Sequence, residues 1–368
     1  MSQALATRFD NLQDLCVARL RDCVDPRTGR FGRQIRDGAW ASTLGTESLT
    51  SSAICLIGLS RAGIPARAVV ADPVALCRHL AARVREERYP GGLGLVLWAN
   101  SALRAAPPLA LLGEAGFDPA ELALVARNLT TMEVAWLVSG LLHAGLPSLR
   151  PACIAALQEL ESRLDRNTLV FRHAGPAAPP QHRIRARIAN FADQVYPLQA
   201  LAFAAIALGD EARRVLADRC GTHLVEAQGP LGQWWWHHDA RTGKVVEGYP
   251  VYSVHQHSMA PMALRALAVA GGRNHAAAAA SSRAWLQANE LGIDMVEPSS
   301  GIIWRSVERE EGALAHRLRH ARMLLGLPAA GPSQPRFRLN REIRPYEWGW
   351  LLYASAIEGG PAPAGHIV

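Results

Sequence analysis

Six stretches of this chain are apolar over most of a helical circumference. They are "TESLTSSAICLIGLSRAG" (46–63), "GLGLVLWANSALRAA" (92–106), "TMEVAWLVSGLLHAG" (131–145), "ADQVYPLQALAFAAIALG" (192–209), "YSVHQHSMAPMALRALAVAGG" (252–272) and "RPYEWGWLLYASAIEGG" (344–360). That pattern belongs to helices covered on all sides. Small residues recur within them, and most end near glycine, a C-cap signal. Between them, 6–24, 73–88, 150–164 and 210–227 place Arg, Asp and Glu among apolar positions at i, i+3 and i+4, the signature of helices exposed on one side. No alternating run is long enough for a sheet. The regular alternation of the two helix classes predicts an all-α fold, a six-hairpin α/α toroid with inner and outer helix rings in one domain spanning 1–368. A superhelical solenoid would have repeats of more uniform length. Flexible loops are expected near 172–187 and 328–343, and a flexible tail over 359–368.

The turns repeat as well. "QIRDGAW" (34–40) precedes the first apolar stretch and "QGPLGQW" (228–234) the fifth; both read Gln, three residues, Gly, one residue, Trp. Nearby stand "DPRTGR" (25–30) and "DARTGK" (239–244), two tight Asp-to-Gly turns. Gln-x3-Gly-x-Trp resembles the repeat of squalene-cyclase-type proteins in the terpenoid cyclase and protein prenyltransferase α/α-toroid superfamily. The resemblance implies structural roles for Gln34, Gly38, Trp40, Gln228, Gly232 and Trp234, with Gln bonding a helix end and Trp packing on the next hairpin. Residues 228–239, "QGPLGQWWWHHD", then raise a question of geometry. Three consecutive indoles cannot share one core face. With Trp234 as a wedge, Trp235 or Trp236 faces the inside of the toroid.

Composition narrows the classes. Hydrophobic residues are 49% and charged residues 19% of the 368, an ordinary globular balance. The longest apolar run, 195–209, is too short and too polar to cross a bilayer, and the first fifteen residues lack the pattern of a secretory signal. Six scattered cysteines in helical stretches read as reduced thiols, so a cytoplasmic location is expected. The formal charge of +7 is almost all arginine. It is dense only at 182–187 and 319–344, which reads as solvated faces or an anion-attracting rim rather than a nucleic-acid stripe.

Parallel inner helices bring their polar tips to one mouth. The tips comprise Thr46 and Glu47; Trp98 and Asn100; Glu133 and Trp136; Asp193, Gln194 and Tyr196; Tyr252, His255, Gln256 and His257; and Tyr346, Glu347 and Trp348. Such a gathering at a buried cavity is the default site. His255 or His257 is the candidate proton carrier, with Tyr252 beside it and Asp193, Glu133 or Glu347 orienting or acidic. Glu47, Trp136, Tyr196, Trp235, Trp236, His238, Asp239, Tyr249, Gln256, Tyr346 and Trp348 are candidate substrate contacts. Arg305 or Arg344 would take a substrate carboxylate. No metal or cofactor is expected, because His255 and His257 diverge on a helix and do not chelate together.

The resemblance implies isoprenoid cyclisation, but the Asp-x-Asp-Asp acid motif of that family is missing and the inner helices are mainly Ala, Leu and Val. Other α/α toroids include sugar epimerases, polysaccharide lyases and glycosidases, whose mouths look similar to this one. Acid–base chemistry on a carbohydrate or uronic acid is therefore the leading expectation, with a small-molecule or oligosaccharide substrate. A non-catalytic glycan- or peptide-binding toroid is the third.

Overall fold

The computed structural model describes residues 14–32, 35–36, 47–297, 299–325, 327 and 335–368. Six inner helices run in sequence order around a closed ring. They are Leu49–Arg61, Leu93–Leu103, Thr131–Ala144, Ala192–Leu208, the segment His255–Met259 continuing into Ala260–Val269, and Pro345–Gly359. Each packs on the next, and the sixth returns to the first. Outside them lie residues 14–22, Pro73–Glu86, Pro108–Glu114 with Leu122–Asn128, Arg150–Ser162, Glu211–Glu226 and Ala276–Ala284. The molecule is an α/α toroid.

Burial follows the two helix classes. Every residue from Ala192 to Ala205 is buried, whereas Pro73–Glu86 buries Leu76, Cys77, Leu80, Ala81 and Val84 along one stripe and leaves Arg78 and Arg85 exposed. The apolar stretches are thus inner and the amphipathic ones outer, over the described part of each.

The small residues explain how closely the inner helices approach. A Cβ placed on Gly94 would stand 2.1 Å from the carbonyl carbon of Trp136, and one on Gly140 would stand 2.2 Å from the Gly94 oxygen. Likewise a Cβ on Gly58 would meet the Gly349 oxygen at 2.0 Å. Second against third and sixth against first, these helices touch backbone to backbone. Gly145 and Gly209 end the third and fourth inner helices at φ +61° and +64°, as the glycine endings require.

The described copy of the repeated turn behaves as a structural unit. Gln228 Nε2 donates to the carbonyls of Gly232 and Ala278, both at 3.0 Å, tying the loop to the outer helix Ala276–Ala284. Gly232, at φ +90°, lies against the Ser281 carbonyl of that helix. Trp234 is buried and stacks on Phe191, ring centroids 6.0 Å apart. Gln34, Gly38 and Trp40, the other copy, lie outside the described residues, as does Thr46. The two Asp-to-Gly turns match in geometry. Gly29 N donates to Asp25 O and Gly243 N to Asp239 O, each at 2.8 Å, and each turn closes a short antiparallel hairpin.

The all-helical expectation needs one amendment. Strands of two to four residues form small antiparallel ladders in the connections, including Val251–Tyr252 with Ser306–Arg309 and Phe337–Asn340, and Ile188–Asn190 with His237–Asp239 and Val245–Glu247. They are too short to leave an alternating pattern in the sequence.

The end of the ring away from the mouth is closed by rings. Trp98 stacks on His143 at 4.5 Å and meets Phe203, Trp350 and Tyr353 edge-on or tilted at 5.5–5.7 Å. Residues 366–368 reach the closed end. Arg61 Nε donates to Val368 O at 2.8 Å, Ile367 N to His143 Nε2 at 3.4 Å, and His366 Nε2 meets Ser60 Oγ at 3.1 Å. Within 172–187, His173 N donates to Ala186 O at 2.7 Å. Of 328–343, residues 337–340 are a ladder strand, and 328–334 lie outside the described residues. No described helix is long and apolar enough to cross a membrane.

Two substitutions test this packing. Gly94→Val should destabilise by about 3 kcal/mol or more, because the colliding atoms are backbone and cannot rotate away. Trp234→Ala should cost roughly 3–5 kcal/mol. Native melting temperatures for either variant would contradict the packing.

Candidate active site

The mouth holds a cavity of about 300 Å³, at the small end of the range for small-ligand sites. Its wall comes from the first turns of five inner helices. The first gives Thr50 and Ile54, the third Met132 and Trp136, the fourth Ala192 and Tyr196, the fifth His255 and Met259, and the sixth Tyr346. The connections and their short strands add Asn190, Trp236, Tyr252, Arg305 and Arg344. Helix starts converge here, so the local field favours negative charge.

His255 stands at the centre. Pro261 has no amide to offer the His257 carbonyl, so the α pattern cannot pass through it. The backbone widens to π-type bonding over His255–Met259, with Ala260 N donating to His255 O. The imidazole packs on Phe191 at 4.4 Å, stacks on Trp236 at 5.7 Å and meets Tyr252 edge-on at 5.1 Å. Its Nδ1 is buried with no hydrogen-bond partner among the described residues. Burial, then the nearby Arg305 and His257, push its pKa well below the usual imidazole value, so the ring is held in the neutral form.

Arg305 is delivered by the strand ladder. Ser253 N donates to Arg305 O at 2.8 Å and Ser306 pairs with Tyr252, which sets the guanidinium over the Tyr252 ring at 4.9 Å. Arg305 Nη1 donates to Glu347 Oε1 at 3.2 Å, while Glu347 Oε2 has no partner among the described residues. Burial raises the Glu347 carboxyl to about 7 against the opposing pull of Arg305 and Arg344. Glu347 lies behind Arg305 rather than in the cavity wall. The Tyr346 phenol, pushed up to about 12 by burial, remains protonated. Arg344 bonds Glu342 at 2.5 Å and borders both the cavity and a side pocket of about 240 Å³.

The structure therefore brings His255, Tyr252, Trp136, Tyr196, Trp236, Arg305, Arg344 and Tyr346 together and places other candidates elsewhere. His257 faces away, its Nδ1 meeting Ser258 Oγ at 2.5 Å, with burial and Arg283 lowering it to about 3. Asp193 is fully buried, accepting from Met132 N and Asn190 N and meeting His173 Nδ1 at 2.8 Å. Glu133 accepts from Thr130 N and Oγ1 at 2.8 and 2.7 Å, a capping box. Glu47 is held by Arg30, His79 and Arg83 in the side pocket. Asp193 and Glu133 organise helix starts, Glu47 ties Arg30, His79 and Arg83 together, and none of the three lines the cavity.

Among the remaining candidates, Gln256 is buried, accepting from Trp234 N and donating to Tyr252 O. Trp348 is a core residue donating to Gly301 O, and Trp235 packs on Tyr249. His238 and Asp239 are buried in the hairpin strand, with Asp239 accepting from Arg187 and Arg241 N. Tyr249 donates to Glu290 and lines an outer groove. Trp98 and Asn100 sit toward the closed end, because the second inner helix starts ahead of them at Leu93. Asn190 and Phe191 went unnoticed in the sequence. Asn190 Oδ1 accepts from Asp193 N while Asp193 accepts from Asn190 N, so the Asn-x-x-Asp spacing was a readable cap signal. Among the described residues no group of three or more His, Cys, Asp and Glu is placed to hold a metal ion.

No family model and no curated protein sequence matches the chain. Solved structures do. A sugar epimerase from a ruminal bacterium aligns at TM-score 0.60 and 11% identity, over 98% of this chain and 100% of that one. An unsaturated glucuronyl hydrolase from Bacillus sp. GL1 aligns at 0.57 and 13%, over 95% and 96%. A glucose-bound glycosidase variant aligns at 0.57 and 12%, over 98% and 99%. At these identities the likeness is one of fold.

Buried neutral histidines make a pH prediction. Burial lowers His143 and His257 to about 3, His237 to about 2 and His238 to about 4. Folded values below the unfolded 6.5 mean that the unfolded chain binds these protons first, so stability falls as pH drops below about 6.5. At pH 5 each contributes a loss of about 2 kcal/mol, against a total of about 5–15 kcal/mol. The melting temperature should fall steeply between pH 6.5 and 5. A flat profile there would contradict the buried neutral rings.

Proposed function

We propose that the cavity removes and returns a proton at the carbon next to the carboxylate of a uronic-acid residue, as an epimerase or lyase does. The observation that carries this reading is the make-up of the wall. Its described lining residues include one neutral imidazole, two guanidinium groups and three phenols (Tyr196, Tyr252 and Tyr346), and no carboxylate. Arg305 and Arg344 would pair with the substrate carboxylate, drawing electron density from the adjacent carbon and acidifying its hydrogen. His255 accepts that proton. Tyr252 or Tyr346, both protonated, returns one to the opposite face or to a leaving oxygen. Trp136, Tyr196 and Trp236 offer flat faces to the ring.

Two alternatives fit less well. Hydrolysis by a paired acid and nucleophile needs two carboxyl groups at the bond, and Glu47, Glu133 and Asp193 are engaged elsewhere. Isoprenoid cyclisation passes through carbocations, which two guanidinium groups in the wall would repel. The solved neighbours named for action on sugars favour the carbohydrate class over the isoprenoid one.

Incubating the protein with uronic-acid oligosaccharides in deuterium oxide reads the proton step directly. Deuterium should enter at the carbon bearing the carboxylate, or a double bond should form there. His255→Gln should slow this by about 10²–10⁴-fold, with melting unchanged, whereas His257→Gln should stay within severalfold of the parent. Full activity in His255→Gln, or glycosidic cleavage with neither exchange nor a new double bond, would overturn the proposal.

Glu347 supplies a pH signature. Below about 7 its carboxyl is neutral and leaves the Arg305 charge for substrate; above, the carboxylate competes for it. KM should rise through pH 7 in the parent and stay low in Glu347→Gln. Equal profiles would remove Glu347 from the account.

A further inference from the structure

Beside the cavity, across the wall formed by Trp236 and Tyr252, lies a groove of about 640 Å³. It runs under the helix Ala313–Leu324 and carries five arginines, three histidines and three glutamates. The pairing of these charges is uneven. Glu247 is taken by Arg309 and Arg319, Glu311 by Arg319 and His316, and Glu308 by Arg338. All three carboxylates are therefore matched. Arg185 and Arg317 meet no carboxylate among the described residues. Among the described residues Arg185 reaches only His173 Nδ1, at 3.3 Å, a nitrogen already engaged with Asp193, and its buried Nε has no partner. His237 is the second observation. It lines the groove, is 5% exposed, and both of its ring nitrogens lack a partner among the described residues. Buried polar groups without partners are rare and ask for a ligand or water.

We infer that this groove is a second binding site, for an oxyanion carried on the sugar next to the one in the cavity. The shared chemistry is a sulfate ester or a second carboxylate, held by Arg185 and Arg317 with His237 contributing a ring N–H. Guanidinium forks suit either group. The inference rests on the carbohydrate reading for what carries the anion, and not for the anion site itself. It makes the substrate an acidic oligosaccharide that passes the Trp236–Tyr252 wall, rather than a free monosaccharide.

Two measurements separate the parts. Inorganic sulfate titrated into the protein by calorimetry tests the site alone. Binding should weaken more than tenfold in Arg317→Glu, an exposed position whose change spares the fold, and further in Arg185→Ala combined with it. Undetectable binding to the parent, or binding that ignores both substitutions, would overturn the site. An array of neutral and acidic oligosaccharides tests the carrier. Retention confined to chains with two or more anionic residues, and lost in Arg317→Glu, supports the inference, with sulfated and carboxylated members showing which group is read. Equal retention of neutral chains overturns it. Sulfate binding that depends on both arginines, with no glycan retained, refutes the carbohydrate reading and leaves the oxyanion site standing.

Discussion

The structure depends on how closely its inner helices can approach. A six-membered ring with side chains at every contact would either open a wide channel or separate into a loose bundle. Gly94 with Gly140 and Gly58 with Gly349 bring backbones into direct contact at two of the six seams. This draws the ring in until Trp98, Phe203, Trp350 and Tyr353 can close one end. What remains is a blind cavity at the other end, where the helices begin. A channel would be wet throughout, whereas a blind pocket holds a few side chains away from bulk water and strengthens their electrostatic interactions.

That withdrawal from water gives the candidate site its character. His255 is neutral because it is buried among Phe191, Trp236 and Tyr252 with a guanidinium nearby. The same burial keeps Tyr346 protonated and lifts Glu347 toward neutrality. Arg305 is fixed between the Tyr252 ring and the Glu347 carboxyl, so its charge is held in place before any ligand arrives. A wall with a neutral base and fixed positive charge suits an anion whose carbon acid must be deprotonated. It suits a cationic intermediate poorly.

Much of the fold was legible in the sequence, and the reason is periodicity. A helix covered on every side and a helix covered on one side bury different sets of positions, and that difference survives in sequence without any partner being known. The candidate site was less legible because its polar residues were read by position in the chain and not by direction. Glu133 and Asp193 sit in the first turns of inner helices, where a carboxylate also caps backbone amides, and there capping took precedence over facing the cavity. His255 and His257 could not be ranked until Pro261 and the widened π segment set one ring inward and the other outward. The short ladders that carry Tyr252 and Arg305 leave no period at all. The position of Arg305 follows from register with a strand more than fifty residues earlier.

The three tryptophans at 234–236 show how one local sequence can serve three environments. On an extended segment successive side chains alternate, and the turn at Gly232 adds a further rotation. Trp234 enters the core against Phe191, Trp235 covers Tyr249 and the backbone of Gly229 and Gly248, and Trp236 stacks on His255 in the cavity wall. The hairpin strand His237–Asp239 follows at once and hydrogen-bonds to Ile188–Asn190, which opens the fourth inner helix. The wedge, the cover and the cavity platform are therefore one rigid run of backbone. Displacing Trp234 from the core would also shift the ring against which His255 is held, so the stability of this turn and the geometry of the proposed base are coupled.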